Sequence, residues 1–190
     1  MSAVVVAEDV RRADPAPARG FGRWGLGSYL GVVAVLVAAI WVWLDGVLVY
    51  VLDDPAIHLS VADELVRHGT WGVEAGSFQS ASSSPLWTLL VAAGLAVTPS
   101  GLEEWVPLVL NVLAGIGVVV VLGRNQRVLQ PGRQRGLETL ATVMIVVVAL
   151  FLPGLAVVGM EHSLQLLLVL AAVVLVQSDA SGDPGAERRP

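Results

Sequence analysis

Residues 52–87 read LDDPAIHLSVADELVRHGTWGVEAGSFQSASSSPLW, and the fold turns on how this stretch is placed. Apart from the two ends, it is the sizeable segment that carries acids, histidines and hydroxyls together, and apolar runs flank it on both sides. Two adjacent carboxylates, Asp53 and Asp54, stand where the first apolar run gives way. A carboxylate pair at a membrane surface is expensive to desolvate, which points to chemistry or ion handling. The competing role is structural: Asp54, followed by Pro55, has the pattern of a helix N-cap, worth about 1 kcal/mol.

Within the stretch, Pro55 suits the first position of a helix and Gly69 suits its stop. Ile57, Val61 and Leu65 fall on one stripe, while His58, Asp63, Glu64 and Arg67 fall largely elsewhere. That pattern predicts a short amphipathic helix lying on a membrane surface, with its polar residues in a solvated face. Residues 70–84, with Gly72, Gly76 and serines 80 and 82–84, read as an irregular loop returning to the bilayer.

The whole chain supports that setting. Of its 190 residues 55% are hydrophobic and 14% charged, and the mean hydropathy is +0.75. These values exclude an ordinary soluble domain and read as an integral membrane protein. There is no cysteine, hence no disulfide framework and no thiolate metal site. A net charge of -5 and the lack of a basic stripe argue against nucleic acid as a partner. The cations are all arginine, and the Ala, Val, Leu and Gly bias fits a high-GC bacterial source.

Working outward, residues 1–25 place Arg11, Arg12, Arg19 and Arg23 among prolines and alanines, which predicts a disordered cytoplasmic tail. Residues 26–44 carry no charge and are long enough for about 30 Å of hydrocarbon, so they read as a first transmembrane helix. A cleaved signal peptide is the alternative, but the run is long and no small-x-small cleavage site follows it. Asp45 falls at or just beneath the outer mouth.

The next run, residues 85–98, has only about fourteen residues, nearer a re-entrant or interfacial helix than a full span. Residues 105–122 are long enough to cross, and Arg124, Arg127, Arg133 and Arg135 then crowd a short loop that the positive-inside rule places in the cytoplasm. A fourth run, 137–152, ends at Pro153-Gly154, and a fifth covers about 159–176 before the polar tail 178–190. The expectation is an all-α membrane domain over 26–177, with four to five hydrophobic helices and an outer loop, 52–84, carrying the surface helix. Glu161 and His162 then lie on the same outer side as Asp53.

In order along the chain, Asp53-Asp54, the helix positions Ile57, Ala62 and Leu65, Gly69, Gly76, Ser84-Pro85-Leu86-Trp87 and Gly159-Met160-Glu161-His162 resemble the GT-C superfamily of membrane glycosyltransferases, in particular its bacterial arabinofuranosyl- and mannosyltransferase-like members. The resemblance covers about residues 26–177 and corresponds to the N-terminal part of that plan. Such enzymes have more transmembrane helices, and carry an aromatic and a basic residue in the surface helix where this chain has Ala56 and Ser60.

The resemblance implies transfer of a sugar from a polyprenyl-phosphate donor to a hydroxyl of a glycan or lipid acceptor, on the outer face of the cell membrane. A hydroxyl needs a carboxylate to take its proton, a contribution of about 10² to 10⁴ in rate. Asp53 is the first candidate for that base. Asp54 is the second: it shares the proton, orients Asp53, or binds a divalent cation that steadies the leaving phosphate. His58, Arg67, Glu161 and His162 are the candidate substrate contacts, Arg67 being the single arginine on the outer side in this topology. The histidines lack metal-ligand spacing, so no zinc site is expected. Two other classes compete: a small permease using acids such as Asp45, and a non-catalytic remnant or assembly subunit that keeps the fold without the donor site.

Overall fold

The computed structural model describes residues 19–50, 52–125 and 151–180. Every element among them is helical: α1 (Arg19–Trp43), α2 (Asp54–His68), α3 (Pro85–Leu95), a 3₁₀ turn (Glu103–Trp105), α4 (Val106–Arg124), α5 (Leu152–Val158) and α6 (His162–Ala180). The expected tail before residue 19, most of the arginine loop, the run 137–150 and the tail beyond residue 180 lie outside the described residues.

Two helical segments are long and apolar enough to cross a membrane, Trp24–Trp43 and Glu103–Arg124. The first helix begins at Arg19, so residues 19–25 belong to α1 and not to a disordered tail. It ends where Asp45 (φ 50°) and Gly46 (φ 84°) turn left-handed and the Gly46 N–H donates to the Trp41 carbonyl at 2.8 Å. That turn satisfies one of the carbonyls a helix end leaves over.

α1 and α4 run antiparallel. The Trp41 and Trp105 rings meet with centroids 5.4 Å apart, and further along α1 the Tyr29 hydroxyl donates to the Asn111 carbonyl. Tyr29, Val33, Leu48, Leu108, Val118, Val119, Leu152 and Ala156 form the larger core, so α5 closes onto both long helices. The end where α1 stops and α4 starts is called the head of the bundle below.

Residues 44–105 leave from the head and return to it. α3 has 11 residues, about 16 Å at 1.5 Å per residue, which is half the hydrocarbon thickness. It stops at Leu95, and Gly94 beside that stop lies so close to Val106 that a Cβ there would meet Val106 Cγ1 at 2.5 Å. α2 packs on α3 through a second core of Ala62, Trp87, Val91, Ala92, Leu95 and Val106, joined by Leu110 of α4 and Leu164 of α6. Burying an aromatic or branched aliphatic side chain contributes about 1.5 to 3 kcal/mol, so this core is what fixes α2 at the head.

At the place where the fourth apolar run was expected to end, Phe151 turns left-handed (φ 46°) and α5 begins at Leu152. Proline near the first helical position needs no intrahelical donor and has its φ preset, so Pro153 opens α5. α5 ends at Gly159 (φ 80°), and α6 begins three residues later at His162.

Candidate functional site

α2 starts one residue earlier than its sequence pattern suggests. Asp53 holds the N-cap position, with its carbonyl accepting from the Ala56 and Ile57 N–H groups at 3.0 and 3.2 Å. Its backbone is already helical (φ -75°, ψ -28°) and its side chain makes no capping bond. Asp54 is therefore the first helical residue and not the cap, because a proline is tolerated at the second position as well as the first. Both carboxylates are exposed. At the other end Gly69 adopts φ 70° and its N–H returns to the Leu65 carbonyl at 3.0 Å.

His58 overturns its expected place in a solvated face. It is 2% exposed, and the reason is arithmetic: His58, Val61, Ala62 and Leu65 fall at i, i+3, i+4 and i+7, one continuous face of the helix. Thr88, Val91, Ala92 and Leu95 repeat that spacing on α3, and the two faces pack together. His58 Nδ1 stands 3.0 Å from Thr88 Oγ1 and 3.2 Å from Ser82 Oγ. The two hydroxyls are 2.7 Å apart, and Thr88 donates on to the Ser84 carbonyl at 3.2 Å.

The other ring nitrogen of His58 faces Glu161. Nε2 and Glu161 Oε2 are 3.9 Å apart, with the Glu161 side chain 10% exposed. Neither atom has a hydrogen-bond partner. Glu161 Oε1 accepts from Gln165 Nε2 at 3.2 Å, and the Glu161 carbonyl takes the first backbone bond of α6, from Gln165 N–H at 2.9 Å. Glu161 thus sits at the threshold of α6 and His162 at its first position, half-buried. Burial pushes the His58 imidazole below its ordinary value, and the Glu161 and Asp54 carboxylates oppose that shift. Trp87 Nε1 and Ser163 Oγ are also buried without a hydrogen-bond partner, one on α3 and one in the first turn of α6.

The remaining candidates sit apart from this group. Arg67 lies about 20 Å along α2 from its start, at 1.5 Å per residue. Its Nε donates to Asp63 Oδ1 at 2.6 Å, so it is engaged within its own helix. Glu64, also expected in the solvated face, is buried instead because it fastens the following loop: it accepts from Gly76 N–H at 3.1 Å and pairs with His68 Nδ1 at 2.9 Å. The loop folds back on itself, with the Gln79 N–H donating to the Trp71 carbonyl at 2.8 Å.

The structure brings Asp53, Asp54, His58, Glu161 and His162 to one end of the bundle, from the start of α2 and the start of α6. Among the described residues no three His, Cys, Asp or Glu side chains are grouped to hold a metal ion. The exposed pair offers acceptors for a proton, and the buried pair offers a charge-sensitive contact beneath it. Compared with known proteins, the chain matches no family model, no curated protein and no solved structure.

Proposed function

We propose that this chain is a membrane glycosyltransferase, or the N-terminal part of one, that moves a sugar from a polyprenyl-phosphate donor to an acceptor hydroxyl at the outer membrane surface. α1 and α4 cross the bilayer in opposite directions, which puts residues 19–23 and Arg124 on the cytoplasmic side in keeping with the charge rule. The head, with residues 52–84, faces outward. α1 supports a lipid setting, since Val35, Val42 and Trp43 are 68%, 76% and 90% exposed, whereas a helix in a water-soluble core would bury them.

The observation that carries the reading is the exposed Asp53-Asp54 pair at the head, on a helix locked there by a core of its own. In the reaction, Asp53 takes the proton of the acceptor hydroxyl as the oxygen bonds to the anomeric carbon. The bond from that carbon to the phosphate oxygen breaks, and the polyprenyl phosphate leaves with the electron pair. Asp54, beside it on the first turn, offers a second exposed acceptor that can orient the incoming hydroxyl.

The test uses the full protein in membranes, supplied with a radiolabelled polyprenyl-phosphate sugar and an acceptor glycan. Label should pass to the acceptor from the lipid donor and not from a nucleotide sugar. Ion flux through reconstituted vesicles without sugar transfer would replace this reading with that of a permease.

A further inference from the structure

We propose that Ser82 is a nucleophile with His58 as its base, and that this end of the bundle cleaves an uncharged carboxylic ester by way of an acyl-serine. This chemistry is separate from sugar transfer and uses neither Asp53 nor Asp54.

A serine hydroxyl is a weak nucleophile until a base within hydrogen-bond reach takes its proton. Ser82 Oγ lies 3.2 Å from His58 Nδ1, and it is part-exposed whereas the ring is buried. Substrate therefore meets the hydroxyl and not the base. Two hydroxyls, those of Ser82 and Thr88, face Nδ1, and a carboxylate faces Nε2. A neutral imidazole carries one hydrogen; hydroxyls can supply a hydrogen to Nδ1, but an ionised Glu161 can supply none to Nε2. The ring keeps its hydrogen on Nε2 and leaves Nδ1 bare to accept. Nε2 and Glu161 Oε2, 3.9 Å apart, make no hydrogen bond. Their attraction arises when the ring turns positive, which is the state it reaches while holding the Ser82 proton. Glu161 is thus a positioning residue that steadies a transient charge.

An acyl transfer also needs donors for the oxyanion. Ser82 Oγ accepts the Ser84 N–H at 3.3 Å and meets Thr88 Oγ1 at 2.7 Å, which ties it to the first turn of α3. The first backbone bond of α3 comes from the Thr88 N–H, so the N–H groups of Leu86 and Trp87 ahead of it have no helical partner. They fall between Ser84 and Thr88, the two residues bonded to Ser82. Phe78 and Leu86, four residues to either side of Ser82, are 76% and 53% exposed and offer apolar ground for an acyl chain.

In the reaction Ser82 Oγ bonds to the ester carbonyl carbon as its proton passes to Nδ1, and the carbonyl electron pair moves onto oxygen. Collapse of that intermediate breaks the bond to the alcohol, which leaves with the proton from Nδ1. Water then repeats the two steps on the acyl-serine, releasing the acid and restoring Ser82.

The test treats the full chain in detergent with an alkyl fluorophosphonate, from which an activated serine displaces fluoride. Ser80 and Ser83 are exposed serines of the same loop, so reaction governed by exposure alone would mark them first. Label should instead fall on Ser82, at least about tenfold faster than on either neighbour, and should be lost when the chain is unfolded in denaturant. His58→Gln should slow labelling by about 10² or more. p-Nitrophenyl octanoate should be cleaved by the parent and not by Ser82→Ala. The parent rate should rise with pH as Nδ1 loses its proton. Besides Glu161, the charged group facing the ring among the described residues is Asp54 of its own helix. Glu161→Gln should move the rise to lower pH, because a charge that favours the protonated ring is gone; a merely structural Glu161 would shift the unfolding midpoint and leave the rise in place. An unlabelled parent, label spread evenly over these serines, ester cleavage that survives Ser82→Ala, or a pH rise unmoved in Glu161→Gln would overturn the proposal.

Discussion

The ring of Tyr50 occupies the space that a side chain at position 159 would need: a Cβ on Gly159 would come within 2.5 Å of Tyr50 Cδ1. The same tyrosine donates its hydroxyl to the Glu104 carbonyl at 2.6 Å and accepts the Leu108 N–H at 3.2 Å. One side chain in the link from α1 to α2 thereby meets the start of α4 and the junction of α5 with α6. That meeting is why Asp53 and Glu161, far apart in sequence, share the head of the bundle.

Gly159→Ala should accordingly destabilise the fold by about 2 to 5 kcal/mol, since it combines a left-handed backbone position (φ 80°) with overpacking against an aromatic ring. Thermal unfolding in detergent reads this as a large drop in midpoint. Tyr50→Phe keeps the ring but loses the hydroxyl, and should cost less, about 1 to 2 kcal/mol. An unperturbed Gly159→Ala would show that Tyr50 does not pack on this junction.

The hydroxyl network under His58 gives a second prediction. Thr88 is fully buried and connects His58, Ser82 and the Ser84 carbonyl. Thr88→Val keeps the shape and removes the hydrogen bonds, so it should destabilise by about 1 to 3 kcal/mol. Ser82→Ala should cost less, because Thr88 still meets His58 Nδ1. Equal and negligible effects in a denaturant series would mean that His58 is not held by this network.

Arg67 supplies a negative prediction. Its guanidinium is paired with Asp63 within an exposed turn, and exposed pairs of this kind contribute little to stability. Arg67→Gln should leave the unfolding midpoint and the KM for the lipid donor unchanged. A rise in KM of tenfold or more would return Arg67 to the phosphate site.

What was legible in the sequence followed from period and punctuation. The charge-free run 26–44 and the run 105–122 correspond to the two long apolar helices, and Pro55 and Gly69 bracket α2. The burial of His58 was legible too, in its spacing to Val61, Ala62 and Leu65, but the polarity of an imidazole drew it to the solvated face. The break expected at Pro153-Gly154 coincides with a left-handed Phe151, but the short helix that Pro153 opens was not read, although proline's lack of a donor suits a helix start. The approach of Glu161 to His58 could not be read at all: it depends on the tertiary meeting of α2, α4 and α6, which no local pattern encodes. Nor did spacing separate Asp53 from Asp54 as the cap, since a proline is accepted at either of the first two helical positions.

Asp54→Asn tests the second carboxylate. It leaves no capping bond broken, because Asp54 is the first helical residue. The loss is limited to the favourable meeting of an acid with the helix start, about 1 kcal/mol or less. Transfer should fall only severalfold, since asparagine keeps a side-chain oxygen that can orient the acceptor hydroxyl. A fall of 10² or more at Asp54 with none at Asp53 would exchange their roles.

The most direct measurement is single-turnover sugar transfer by the full protein carrying Asp53→Asn, at saturating lipid donor. Asparagine keeps the size of the side chain and removes its proton affinity, and Asp53 makes no side-chain capping bond to lose. The account predicts a rate at least 10²-fold lower than the parent, with the unfolding midpoint unchanged and the donor KM within about twofold. A rate equal to the parent's would contradict the assignment of Asp53 as the base, and with it the catalytic reading of this end of the bundle.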